Sequence, residues 1–292
     1  MPELMIIGTA HVIDLSLPIE SYIREFNPDL VAIELDRQRW HALRSNLKPT
    51  GGPFYVRILS RFQQYLGESF GSSPGAEMLV AGKVASLIGA NLESASIVLG
   101  NLKRVDLSKA MLAKANLQKA SMFGATLRGA NLRFARLVDA NLEASELTGA
   151  DLTSSNLSGV NLTDAFADRA EFRSAKMINA RLMSANLTRA KMNSTNLSKA
   201  NLSKANLSRA VLTNANFSGA DLSGADLSHS DLSGANLTGS NLNGAKLIGA
   251  NLTKANFTQA NLKGALLSSS LRFRTNFCKA TLSDGSAGTC GK

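Results

Sequence analysis

From Ala85 to Leu282 a small residue recurs every five positions, and a large apolar residue follows two places after it. Forty consecutive pentapeptides keep this register without an insertion or deletion. Thirty of the forty large positions are Leu, and thirty of the forty small ones are Ala. The position between them is usually Asn or Asp, as in Ala200-Asn201-Leu202 and Ala220-Asp221-Leu222. Neither regular element suits a period of five. On an α-helix five residues advance the direction by about 140°, so the leucines would wander round the surface. On a strand side chains alternate, so successive leucines would point to opposite faces. A chain that turns a corner every five residues sends each Leu into one central column, and the neighbouring Ala fits inside the corner.

One coil cannot stand alone, because its few leucines do not offset the entropy of ordering the backbone. Stacked coils add inter-coil hydrogen bonds and leucine-on-leucine contacts, so the unit is stable only as an array. Such ladders use backbone N–H groups, which excludes proline. All six prolines, from Pro2 to Pro74, precede the repeats, as do all three tyrosines and Trp40. Charge divides at the same place. Residues 1–84 carry eight Lys/Arg against nine Asp/Glu, whereas 85–282 carry 23 against 12. The net charge of +10 is therefore the rod's +11 less the −1 before it. Three units follow: 1–84, the repeats 85–282, and a short flexible tail, 283–292, of small residues.

The pattern A-[ND]-L-x-x resembles the pentapeptide-repeat family over about two thirds of the chain. The resemblance implies a mainly β fold: a right-handed, four-sided β-helix with four pentapeptides per coil and about ten coils. At roughly 4.8 Å per coil that is a rod roughly 48 Å long. Residues twenty apart should then stack, and Ile97, Leu117, Leu137, Leu157, Met177, Leu197, Phe217, Leu237, Phe257 and Phe277 should share one interior edge. Two positions depart from the rule. Ala167, beside Phe166, predicts a local bulge or a repacked phenylalanine. Arg272, between Leu271 and Phe273, cannot be buried uncompensated, so the last two coils are expected to be irregular.

The repeats contain one histidine, His229, and no recurring acid pair. Asp221, Asp226 and Asp231, on successive sides of one coil, suit hydrogen bonding to the turn backbone. The cationic excess is more informative. Arg169, Arg189 and Arg209 should form a ladder on one side, while Lys109, Lys114 and Lys119 take equivalent outward positions on three adjacent sides. Such a surface serves solubility, or attracts polyanions. Some pentapeptide-repeat proteins resemble DNA in shape and charge and protect topoisomerases. Those depend on acidic surfaces, so the basic rod argues against that role.

Ahead of the repeats, residues 3–9 and 31–35 read as strands, with helices over 17–26 and 36–45 and further helical segments near 54–66 and 75–88. This β-α-β-α order suits a parallel sheet, whose strand ends are where sites form. His11 ends the first strand and Glu34 the second, and a His–carboxylate pair can bind a metal or move a proton. The runs IIGTAHV and PDLVAIELDRQRWHAL, then Gln63 through Leu66, Gly67, Glu68, Gly71, Pro74, Gly75, Glu77 and Met78 to Ala81, resemble the start of the TraB family. That resemblance implies kinship to metal-dependent proteases with paired G-x-x-H motifs and an acid. His11 matches the first such motif and Glu34 the acid, with Arg37 and Glu77 as weaker candidates. No second G-x-x-H occurs, because the repeats begin where the rest of that family's domain would continue.

The functional expectation is a non-catalytic interaction scaffold with a protein partner, its N-terminal segment capping the solenoid. A TraB-like metal-dependent peptidase and a polyanion-binding solenoid are the alternatives. The scaffold requires no cofactor, whereas the TraB-like segment, if functional, would take a divalent metal through His11 and Glu34. No run of 18 apolar residues is present, so no membrane span is expected. Glu3 and Asp14 argue against a secretory signal, which makes the cytoplasm the default compartment. There Cys278 and Cys290 would be free thiols, and in an oxidising compartment they could close the C-terminal end as a disulfide.

Overall fold

The computed structural model describes residues 87–270 and 272–290. Throughout the repeats the chain alternates one bridging residue with a two-residue corner, and each outward residue pairs in parallel with the one twenty positions on, from Asn91 with Met111 to Asn261 with Thr281. Four corners per twenty-residue step make each coil four-sided. The sides are short. Each contributes a single bridge rather than a multi-residue strand, so among the described residues the rod is built of bridges and turns in place of extended strands.

One repeat, Ala200 to Lys204, shows why the pattern folds this way. The amide of Ala200 donates to the Leu197 carbonyl at 3.0 Å, closing the preceding corner. Asn201 donates to Ala180 on the coil before at 2.9 Å; Leu202 and Lys204 donate to Asp221 and Ser223 on the coil after, at 2.7 and 2.9 Å. The remaining amide, that of Ser203, donates to Asn201 Oδ1 at 2.9 Å. All five N–H groups are satisfied, the fifth by a side chain, which is the physical reason for Asn or Asp at that place. Asp221, Asp226 and Asp231 fill the expected role, accepting from Ser223, Ser228 and Ser233 at 3.0, 2.9 and 3.0 Å.

Each corner closes by a carbonyl-to-amide bond across three residues, and its second central residue has positive φ, the mark of a type II turn. Glycine fills many of these places, Gly149 and Gly249 among them, at φ 66. Ser, Lys and Arg fill others despite the cost of the left-handed region for residues with a Cβ.

The interior is apolar. The stack from Ile97 to Phe257 is fully buried, and Phe277 packs on its end with its ring 5.2 Å from that of Phe257. No bulge forms at Ala167. It is buried and keeps register, its amide donating to Asn186 at 2.7 Å, while Phe166 takes the outward position and is 54% exposed. The hydrogen-bonding frame outweighs the missing interior side chain, and the next interior residue of that coil is the buried Phe172. The last coils are likewise more regular than Arg272 suggests: corners persist at Ser269, Arg274 and Lys279 with φ 57, 54 and 55. Arg272 turns outward, its Nη2 donating to the Leu267 carbonyl at 3.4 Å, so desolvation is avoided without breaking the coil.

Leu87 and Ile88, expected to end a helix over 75–88, instead form the first described interior position and the start of a corner. The expected flexible tail also differs. Residues 283–290 fold back as a hairpin on the last coil, with Leu282 donating to Ser286 at 2.7 Å, Lys279 to Gly288 at 3.1 Å and Gly288 to Ala280 at 2.7 Å. Thr281 and Ala287 pair antiparallel, and a Cys278–Cys290 disulfide straps the hairpin. The last coil has no successor to accept from these amides, and the tail supplies the missing partners.

Candidate functional site

The corners decide what this surface can present. A second corner residue projects from a backbone fixed by four hydrogen-bonded neighbours, and its counterpart recurs at the same corner one coil later. Arg169, Arg189 and Arg209 hold that position with φ 55, 57 and 59, and all three are exposed. Near-identical φ values at one corner start the three side chains from one line of backbone at about 4.8 Å per rung, and Arg169 then leans to Asp168. His229 takes the same corner one coil further on, at φ 59.

Lys109, Lys114 and Lys119 are also exposed second corner residues, with φ 58, 59 and 55. Arg104, φ 57, precedes them by one corner, so these four cations occupy every corner of one full coil. Arg104 escaped the sequence-based site, although counting one repeat further back along the same register finds it.

Carboxylates neutralise the cations unevenly. Arg169 Nε lies 3.4 Å from Asp168 Oδ2. Glu171 takes two partners, Lys191 Nζ at 2.6 Å and Arg173 Nη1 at 3.2 Å. Arg133 pairs with Asp151 at 3.5 Å and also lies 5.6 Å from the Phe134 ring centroid. Among the described residues Arg189 and Arg209 have no ion-pair partner. Surface pairs of this kind contribute little to stability, so their effect is chiefly on the local field.

His11 and Glu34, with Arg37 and Glu77, lie outside the described residues. Among the described residues no three His, Cys, Asp or Glu side chains come together as a metal site, and no helix is long and apolar enough to cross a membrane.

HetL, a pentapeptide repeat protein involved in heterocyst differentiation regulation in the cyanobacterium Nostoc sp. strain PCC 7120, is 31% identical; the match covers 70% of this chain and 87% of HetL, with a TM-score of 0.61. QnrB1, a plasmid-mediated fluoroquinolone resistance protein, is 16% identical over 64% of this chain and 91% of that one, with a TM-score of 0.40. An uncharacterized protein of Methanocaldococcus jannaschii is 36% identical over 100 residues, which is 30% of this chain. The match spans a quarter of that curated relative, 25% of its length. The family model for pentapeptide repeats matches in eight copies, over residues 85–129, 125–164, 150–189, 168–203, 190–228 and 230–268. Repeat register, four-cornered coils and family model agree, and the chain belongs to the pentapeptide-repeat family.

Proposed function

We propose that this protein is a non-catalytic interaction scaffold whose partner is another protein. The observation that carries the reading is the frame itself: backbone amides are used up in holding the coils, and corner side chains are displayed at fixed intervals on four edges. A rigid display surface loses little entropy when a partner docks. HetL, similar in fold and sequence, is described as involved in regulation, which supports a binding role over a chemical one. The test is photo-crosslinking from corner positions of the full chain in its host, followed by binding of the purified partner. One partner that binds the purified chain, with chelator making no difference, is the expected result. No reproducible partner, together with turnover of a peptide substrate, overturns it.

A second reading rests on the N-terminal motifs alone: a TraB-like metal-dependent peptidase with His11 and Glu34 as ligands. It requires bound divalent metal in the purified chain and its loss in His11→Ala. Elemental analysis showing no metal in the unaltered protein removes it.

The compartment we propose is the cytoplasm, and the paired cysteines of the structure put that placement to the test. A thiol count on protein quenched in its host decides: two free thiols fit the cytoplasm, none an oxidising compartment.

A further inference from the structure

Residues 172–220, about two and a half coils, contain eight Lys/Arg and no Asp or Glu. Glu171, at the edge of this belt, holds Arg173 and Lys191. Lys176, Arg181, Arg189, Lys199, Lys204 and Arg209 have no carboxylate partner among the described residues. Four of these six, Arg189, Lys199, Lys204 and Arg209, are exposed second corner residues. Arg189 and Arg209 stand one above the other, with Arg169 below and His229 above on the same corner.

Like charges about 5 Å apart in water repel by roughly 0.8 kcal/mol per pair before screening. Glycine, the residue best suited to left-handed corners, fills the same corner at Gly129, Gly149 and Gly249. The three arginines are therefore not demanded by the fold. Their guanidinium forks suit phosphate oxygens. The rungs lie in a straight row on a convex edge, at about 4.8 Å. That pitch exceeds the roughly 3.4 Å axial spacing of phosphates along one stacked nucleic-acid strand, so the strand that fits it is an unstacked one. The pitch is well short of the roughly 12 Å width of a duplex major groove.

We infer that this corner is a track for a linear chain of phosphates lying along the rod axis, held by Arg189 and Arg209 at its centre and by Arg169 and His229 at its ends. The inference rests on the scaffold reading and names a second partner for it. Two sources share the chemistry, a single-stranded nucleic acid and inorganic polyphosphate. Phe166, exposed on the side that leads into this corner, separates them, since bases stack on an aromatic ring and polyphosphate has none.

The experiment is fluorescence anisotropy of a labelled single-stranded oligonucleotide with the full chain, across a salt series, competed by inorganic polyphosphate. Binding should weaken steeply with salt. The double variant Arg189→Gln/Arg209→Gln should lower the log–log salt slope by about 1.4, at about 0.7 per phosphate contact on a single strand. The control Lys246→Gln/Lys263→Gln, outside the belt, should leave the slope unchanged, with thermal melts of both doubles superimposing on the unaltered protein. Competition by polyphosphate, with Phe166→Ala weakening only the oligonucleotide, supports the track for both sources. No binding of either polymer at low salt overturns it, as does equal loss in the control, or tighter binding of polyglutamate than of either phosphate chain. Such a failure leaves the crosslinked protein partner standing, so it is distinct from failure of the scaffold reading.

Discussion

The hydroxyl of Thr195 donates to the carbonyl oxygen of Phe172, 2.7 Å away and twenty-three residues earlier. Thr195 occupies the small position of its repeat and is fully buried. Thr275 makes the same bond to Leu252, at 2.7 Å, whereas serines at the small position, such as Ser145 and Ser230, donate within their own corner, to Leu142 and Leu227. A β-branched hydroxyl thus ties one coil to the coil before, where serine ties a single corner.

Thr195→Val isolates that tie. Valine fits the site, as buried Val105 and Val160 show, and the Phe172 carbonyl keeps the Ala175 amide at 2.9 Å. No polar group is stranded, so the loss should be one net hydrogen bond, about 1 kcal/mol. Urea unfolding with an unchanged m-value checks this; a loss above about 3 kcal/mol means the tie carries more than one bond.

Ala167 and Phe172 are successive interior residues of one coil, one smaller and one larger than Leu. If the ring occupies space the alanine leaves, Ala167→Leu alone overpacks and costs about 1–3 kcal/mol. Phe172→Leu alone leaves a cavity, and the double variant recovers much of both losses. The expected coupling is at least about 1 kcal/mol in a double-mutant cycle. Additive losses would show that the two sites fill independent space.

In the disulfide-bonded chain the C-terminal hairpin should depend on Cys278 and Gly288. Paired cysteines twelve residues apart in sequence close a short loop, worth about 3 kcal/mol at most by loop entropy. Cys278→Ser should speed exchange of the Lys279 and Leu282 amides and leave amides near Leu202 protected. Gly288→Ala should do the same by another route, because a Cβ there would stand 2.0 Å from the Phe277 carbonyl oxygen. Unchanged exchange in both variants would mean the tail is not what covers the last coil.

Asp284 gives this hairpin a pH dependence. The Ser286 hydroxyl and then the Ser286 amide, at 2.6 and 2.9 Å, hold its carboxyl below the ordinary value. A depressed folded value stabilises the hairpin above the ordinary carboxylate range, and the benefit is lost as pH falls through the folded value. The protection factor of the Ser286 amide, its exchange corrected for the intrinsic pH dependence, should fall on acidification in the unaltered protein and stay flat in Asp284→Asn. A carboxyl titrating at its unfolded value in NMR would contradict this.

Much of the rod was legible because the repeat is local and relentless. The interior edge from Ile97 to Phe277, the arginine ladder and the role of Asp221 all follow from register alone. Neither the small side chain of Ala167 nor the charge of Arg272 bends the coil. Four inter-coil and corner bonds per repeat make it stiff, so the side chains yield instead. The hairpin was hidden because Asp284-Gly285 is a turn signal in a stretch without apolar pattern, and its partner is the edge of a coil that sequence alone does not display. Of the candidate site, the six corner cations follow from register, as does the stacking of Glu171 against Lys191 twenty residues on; that Glu171 also holds Arg173 depends on side-chain geometry that register does not give.

Pairing across twenty residues also constrains how such a rod can be edited. Removing a whole coil shortens it and leaves every ladder on its own corner. Removing a single pentapeptide still stacks Leu on Leu and Ala on Ala, so the core barely registers the change, yet everything beyond the cut turns by a quarter. Cut between Arg189 and Arg209, the arginine row would be split across two edges with its chemistry intact and its alignment gone. The surface of this protein is therefore written in units of four repeats, while its stability is written in units of one.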